Sequence, residues 1–320
     1  MEANKNNILI NNKSTSIIEN IISNFILIEV FNILQKKKSL EILKYNNKVK
    51  KILNLSINNY KEYCETYTLI KIELIPSKDV YGKFININEE DKLHYQIFFD
   101  NNKDEIKKYS TDKNDNVSKI NIEINYKVIS FKNLFKDCIC LESINFKKFY
   151  RNNINNMGGM FYKCSSLKEI NLSNFNTNSV TNMSFMFCGC SLLKDINFSR
   201  FNTNEVIDMT GMLYKCSSLK GINLSNFNTN NVKYMSLMFC RCYSLEELNL
   251  SNFNTNKVIN MTRMFGECSS LKELNISSFN INNETDVYNM FYGCSNELKE
   301  KIKTQINNLK EEAFGVEPKN

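Results

Sequence analysis

Apolar and polar positions follow a pattern that recurs every 26 residues through the second half of the chain. Each copy contains the motif L-x-x-I/L-x-L, as at Leu167, Ile170 and Leu172, and its final alternation is typical of a short strand with one buried face. A repeat of this length predicts a solenoid, because each unit buries its apolar face only against its neighbours. Stacked copies of the strand are then expected to form a parallel sheet.

The second half of each copy has a different spacing. Val180, Met183, Met186 and Phe187 lie three, three and one residues apart, which favours one or two helical turns facing the core. Asn-rich segments such as 174–178 connect the two halves, because Asn tolerates the backbone geometry of turns. We therefore predict a leucine-rich-repeat-like α/β solenoid, a parallel sheet plus short helices, over residues 131–295 in about six to seven units.

A cysteine and a phenylalanine recur at fixed places in the repeat and are expected to be buried, since free cysteine packs as a small apolar side chain. A column of disulfides or metal sites is the alternative. The Cys-x-Cys pairs lack the Cys-x-x-Cys spacing of zinc sites, and the 11 cysteines are an odd number, so we expect no metal and no cofactor. The predicted core ladder consists of Cys164, Cys190, Cys216, Cys242, Cys268, Phe175, Phe201, Phe227 and Phe253.

Some polar columns are uniform and others vary between copies. Asn171, Ser173 and their equivalents barely change, which suits structural hydrogen-bond ladders. Partner choice, if the repeats encode it, is expected at the variable positions around the predicted helical half. Unconstrained drift at the surface is the alternative, because surface substitutions usually cost little stability. The candidate partner-binding residues are Phe185, Gly211, Leu237, Arg263, Lys215, Arg241 and Glu267.

The residues outside the repeats divide into three further segments. Apolar spacings of three and one predict an α-helical module over residues 1–65. Period-two alternation, as at Ile70 and Ile72, predicts a small β-rich connecting or capping region over 66–130. Residues 296–320 are expected to form a capping helix and a tail, since terminal repeats must cover the exposed end of their core.

The complete repeat motif, L-x-x-I/L-x-L-S-x-F-x-T-x-x-V-x-x-M-x-x-M-F-x-x-C, resembles the leucine-rich repeats of the BspA-like surface-protein family over residues 140–295. The resemblance implies a curved right-handed solenoid that serves in protein binding and adhesion, often to host proteins. Phe175 and its equivalents stand where common leucine-rich repeats carry Asn or Cys.

Charge and hydropathy narrow the classes of function. The net charge is +7, yet residues 151–295 carry 12 Lys and Arg against 10 Asp and Glu, so the basic stripe that nucleic-acid binding requires is missing. The most apolar stretch, 17–34, is too polar to span a bilayer. The N-terminus lacks the pattern of a signal peptide. We expect a cytoplasmic location, with the cell surface as the alternative.

Catalysis is not expected. The chain has one histidine, His94, and lacks a phosphate loop, a GxGxxG motif and an HExxH motif. The leading hypothesis is a non-enzymatic protein–protein interaction scaffold whose partner is a protein of unknown identity, and no small-molecule ligand is expected. A cell-surface adhesin of the BspA-like type is one alternative.

A second alternative comes from the apolar pattern of residues 27–34 and 40–43, which faintly resembles an F-box. F-boxes recruit ubiquitin-ligase machinery and often stand beside leucine-rich repeats. The resemblance implies a substrate receptor of a ubiquitin ligase.

Overall fold

A computed structural model describes residues 68–125, 127–306 and 309–315. The chain divides into two units, Met1–Tyr67 and Thr68–Asn320, and all of the described residues belong to the second. The helical module predicted for residues 1–65 and the F-box-like pattern lie outside the described residues.

An antiparallel sheet at the start of the second unit leads into the repeats. The strands of the described residues are β1 (Ile70–Pro76), β2 (Gly82–Lys83), β3 (Tyr95–Phe99), β4 (Ser110–Thr111), β5 (Ile120–Ile124), β6 (Leu141–Lys148), β7 (Glu169–Asn171), β8 (Glu247–Asn249) and β9 (Glu273–Asn275). The strand order in this sheet is β3-β5-β1-β6-β7, and only the last pair, β6 and β7, is parallel. The alternating Ile70, Ile72 and Leu74 of β1 are buried.

A ladder of parallel bridges joins successive repeats. After each bridge, every second N–H donates to a carbonyl 25 residues later: that of Phe185 donates to Thr210 at 2.7 Å and that of Phe187 to Met212 at 2.9 Å. The intervening N–H groups donate to carbonyls three residues back, as Met186 does to Met183 at 3.2 Å. The bridged residues are Ser130, Asn156, Asn182, Asp208, Tyr234, Asn260 and Asp286.

The predicted leucine-rich-repeat-like α/β solenoid is wrong, because the expected helices are absent from the described repeats. Helix α1 (Asn296–Gln305) is the one α-helix of the described residues, and it follows the repeats. The segment predicted as helical from Val180 to Phe187 contains no helix, and residues 184–189 form a six-residue turn, as do the equivalent residues of the other copies. Left-handed backbone at Phe185 and Gly189, with φ of 53° and 75°, is incompatible with a right-handed helix. The apolar spacing of three residues arises instead from turns, in which N–H groups donate to carbonyls three residues back.

The continuous parallel sheet is also wrong. Parallel strand pairs occur at β6–β7 and at β8–β9. Residues 195–197 and 221–223, which occupy the equivalent place in two intervening copies, lie in no strand. This part of the repeat therefore has an interrupted ladder, whereas the bridges that precede the turns run without interruption from Ser130 to Asp286.

Buried threonines add main-chain bonds between copies. The hydroxyl of Thr229 accepts from the N–H of Asn254 at 2.8 Å and donates to the carbonyl of the same residue at 2.9 Å. The N–H and C=O of one residue in the next copy are thus both satisfied by one side chain, which matters because buried main-chain groups need partners. The same pair of bonds is made by Thr177, Thr203, Thr229 and Thr255.

The C-terminal segment covers the last repeat. Ser295 caps α1 by accepting from the N–H of Leu298 at 3.2 Å, and Leu298 and Ile302 are buried. The side-chain amide of Gln305 bonds to the main chain of the last strand, and Phe314 stacks on Phe291 at 5.7 Å between ring centroids. The helix ends at Gln305, which closes the edge that a further copy would otherwise occupy.

Candidate functional site

The cysteine column lies in the core and does not form a reactive site. The thiols of the column from Cys164 to Cys294 each donate to a carbonyl 29 residues earlier, as Cys216 does to Phe187 at 3.2 Å. Burial raises the pKa of these thiols well above the ordinary value, as at Cys190, Cys242 and Cys268. Nucleophilic cysteines need a lowered pKa and access to solvent, so this environment opposes thiolate chemistry. The predicted ladder positions, all fully or almost fully buried, are Cys164, Cys190, Cys216, Cys242, Cys268, Phe175, Phe201, Phe227 and Phe253.

The six-residue turns stack into a surface that we call the turn face. It consists of residues 132–137, 158–163, 184–189, 210–215, 236–241, 262–267 and 288–293. All seven candidate partner-binding residues lie on it, and all seven have left-handed backbone. Their φ angles are 53° for Phe185, 56° for Gly211, 60° for Leu237, 52° for Arg263, 61° for Lys215, 63° for Arg241 and 59° for Glu267.

The left-handed backbone of these variable positions affects which residues fit there at low cost. Glycine adopts left-handed backbone without cost, whereas a residue with a β carbon pays about 1 kcal/mol. The copies nonetheless carry Phe185, Leu237 and Arg263 where glycine would fit best, and none of these three side chains is fully buried. Left-handed, non-glycine residues with accessible side chains are a recognised feature of functional sites.

Aromatic and basic side chains dominate the turn face. Lys136 and Lys163 both lie over the ring of Tyr162, each 5.4 Å from its centroid, and Lys215 lies 5.3 Å from that of Tyr214. Such cation–π contacts orient the lysine ammonium groups.

A depression of about 260 Å³ opens at the N-terminal end of this surface. Two lysines, Lys132 and Lys136, line it together with Tyr162 and Phe185. Asn156 also lines the depression, but its side-chain oxygen already accepts a hydrogen bond from the N–H of Gly158 at 2.9 Å. The lining also includes Asn133, Asn182 and Ser184, so the depression combines cationic, aromatic and neutral polar groups. The cationic and aromatic groups suit a carboxylate beside an apolar group.

At the other end of the turn face the charges are paired. The Nε and Nη2 atoms of Arg241 both lie 2.9 Å from Oε1 of Glu267, and the hydroxyl of Tyr243 lies 3.5 Å from Oε2 of the same carboxylate. Because these side chains are partly exposed, the ion pair contributes little to stability. It holds the guanidinium of Arg241 in a fixed place on the surface.

The strand side of the repeats carries a groove of about 920 Å³, which we call the strand-face groove. Its lining includes Asp195, Gly221, Glu247, Glu273 and Gln305, and contains no lysine or arginine. Sequence reasoning did not select these residues. The available signal was the column formed by Glu169, Asp195, Gly221, Glu247 and Glu273, in which four of five residues are acidic and one is glycine.

Other classes of site gain no support from the described residues. Among them, no group of three or more His, Cys, Asp or Glu side chains is arranged to hold a metal ion. Within the same part of the chain, every helix is too short or too polar to cross a membrane. His94 ends the 3₁₀ helix Glu89–His94 and is half-buried.

The repeats match the model of a known protein family. The family model described as "Mycoplasma protein of unknown function, DUF285" matches residues 129–221 and 190–308, which together make up more than half of the chain. The chain belongs to this family. The DUF285 match begins beside Ser130, where the bridge ladder starts, and extends past α1. The curated proteins contain no match to this DUF285 chain, and neither do the solved structures.

Proposed function

We propose that this chain is a non-enzymatic protein-binding scaffold whose turn face holds an acidic segment of a partner protein. The observation that carries the proposal is the occupation of left-handed positions by Phe185, Leu237, Arg241 and Arg263. These side chains persist at a backbone cost, and their partial exposure means that core packing alone does not account for them.

The chemistry of the surface defines the partner. Tyrosine, phenylalanine and arginine are the residues that contribute most to protein interfaces. The lysines held over Tyr162 and Tyr214 add positive charge, as do Arg241 and Arg263, against the carboxylates of Asp137 and Glu267. Complementary potentials favour an acidic segment that also carries apolar side chains.

Glycine substitutions at left-handed positions make a sharp test, because they remove side chains where the backbone prefers glycine. The combined variant Leu237→Gly, Arg241→Gly and Arg263→Gly is expected to keep its thermal stability. Its affinity for a labelled peptide of alternating Glu and Tyr, measured by fluorescence anisotropy, is expected to fall at least tenfold.

The matched control removes two basic side chains elsewhere, through Lys194→Ser and Lys220→Ser. Both lysines are exposed and outside the turn face, so this variant is expected to bind the peptide as the unchanged protein does. An equal loss of peptide affinity in the control and in the glycine variant would mean that net charge alone causes the effect, and would contradict a binding site on the turn face. Tighter binding of a labelled single-stranded DNA than of the peptide would replace the proposed partner by a nucleic acid.

A further inference from the structure

One position in the lining of the strand-face groove carries no side chain. Gly221 stands in the acidic column between Asp195 and Glu247, one repeat from each. A β carbon added to Gly221 would meet no atom within 4 Å, and its backbone is outside the left-handed region. The glycine is therefore not required by a turn or by close packing, and its effect is to leave space between two carboxylates.

The carboxylates along the groove differ in their partners. Glu273 is paired with Lys301 of α1 at 2.9 Å, and the same ammonium group lies 3.1 Å from Glu297. Among the described residues, neither Asp195 nor Glu247 has an ion-pair partner. Two negative charges on either side of the open space are thus available to a cation.

Main-chain groups at the same place also lack partners. Within the described residues, the N–H and C=O groups of 195–197 and 221–223 make no hydrogen bond, whereas the equivalent residues of β8 and β9 pair with each other. Both segments line the groove or the adjoining depression of about 330 Å³. Unpaired main-chain donors and acceptors beside a groove need partners, which a segment lying across them supplies.

We infer that the strand-face groove binds an extended peptide segment that carries lysine or arginine. The occupant's cations would lie beside Asp195 and Glu247, and its main chain would reach the unpaired groups of 195–197 and 221–223. Gly221 makes room for the peptide between them. This site has the opposite charge to the turn face and is independent of it, so the chain would hold two segments of different chemistry.

The size of the groove sets the length of the probe. Strands of neighbouring copies lie about 4.8 Å apart, so the four copies from Asp195 to Glu273 span roughly 15 Å, or about five residues of extended chain. A labelled peptide of about eight residues that alternates Lys and Ser covers this distance. Peptides of the same length with Glu or Gln in place of Lys report the contribution of charge.

Gly221→Trp is the decisive variant, because its β carbon would meet no atom within 4 Å and its ring would occupy the open space. We expect at least a tenfold loss of affinity for the Lys/Ser peptide, measured by fluorescence anisotropy with the full chain. Lys220→Trp is the matched control: it places the same ring on the neighbouring residue, which is exposed and does not line the groove. This control is expected to bind as tightly as the unchanged protein.

A second variant tests how much the carboxylates of the groove contribute to peptide binding. Combined Asp195→Asn and Glu247→Gln is expected to weaken binding about tenfold and to flatten its dependence on salt. Glu205→Gln, an exposed carboxylate outside the groove, is expected to change neither. Unchanged binding by the Gly221→Trp variant with an unchanged melting temperature would overturn the inference, as would equal affinity for the Glu/Ser peptide. Neither result would affect the proposed function of the turn face.

Discussion

The ring of Phe185 lies against the α carbon of Gly211. A β carbon at residue 211 would stand 2.4 Å from Cε1 and 2.6 Å from Cδ1 of that ring, far inside van der Waals contact. Both residues have left-handed backbone and occupy the same place in adjacent copies. The ring of Phe185 thus fits only because the equivalent residue of the next copy, Gly211, has no side chain.

This dependence is testable by a double-mutant cycle. Gly211→Ala is expected to lower the free energy of unfolding by about 2 kcal/mol or more, because left-handed strain and overpacking add. In a Phe185→Ala background, the same change is expected to cost only about 1 kcal/mol, the strain alone. Urea unfolding of the four proteins measures the coupling. Additive effects would show that the ring does not occupy this space.

The left-handed backbone of Arg263 makes an unusual prediction, since replacing a residue by glycine normally destabilises. Arg263→Gly is expected to raise the free energy of unfolding by up to about 1 kcal/mol, because the strain at φ of 52° disappears. Lys233→Gly, at an exposed position with ordinary backbone, is expected to lower it by about 0.5–1 kcal/mol. Thermal unfolding compares the two, and a loss of stability in both variants would contradict the assigned conformation.

The threonine column predicts a difference between a change that removes the hydroxyl and one that removes the methyl group. Thr229→Val deletes both bonds to the main chain of Asn254 and leaves two partly buried groups unsatisfied, so we expect a cost of about 1–3 kcal/mol. Thr229→Ser keeps the hydroxyl and is expected to retain most of the stability. Chemical denaturation distinguishes them. A serine variant as unstable as the valine variant would place the contribution in the methyl group instead.

The buried thiols predict a loss of stability at alkaline pH. Burial raises the pKa of Cys190, Cys216 and Cys242 in the folded state, so above about pH 8.5 the unfolded chain releases protons that the folded chain retains. The stabilising contribution is therefore complete below the unfolded pKa and declines as pH rises, by at most about 1.4 kcal/mol per pH unit for each thiol. Urea unfolding between pH 7 and pH 10 measures the slope.

The control for this pH dependence is a chain with Cys190→Ala, Cys216→Ala and Cys242→Ala. Lysines and tyrosines titrate in the same range in both proteins, so the difference between the two slopes isolates the thiols. A steeper decline for the unchanged protein is the expected result, and parallel curves would mean that the thiols are not responsible.

The sequence predicted the repeat length and the apolar columns because both depend on side-chain pattern alone. Phe175 and Phe201, 26 residues apart, stack in the core at 5.4 Å. The helices failed because a spacing of three fits a helical face and a series of turns equally well. Half of the N–H groups in each turn bond to the next copy, as Phe185 does to Thr210, and that choice depends on neighbours that a local pattern does not describe.

The structure gives the candidate partner-binding residues a common feature that did not select them, their left-handed backbone. Variation between copies pointed to Leu237 and Arg263, but their common left-handed backbone is invisible in the sequence because bulky residues rarely adopt it. Gly221 was not selected from the sequence, and its backbone is not left-handed. A glycine with ordinary backbone gives no conformational signal, and its meaning depends on the empty space around it.

The hydrogen bonds between copies also constrain how such a chain can change in length. Thr229 bonds to Asn254 and Phe185 to Thr210, so each contact reaches only the adjacent copy. Deleting or duplicating one complete unit of 26 residues would bring equivalent partners together again, whereas any other length would pair a threonine with the wrong residue. Members of this family are therefore expected to grow and shrink in whole units during evolution, with no compensating change elsewhere in the chain.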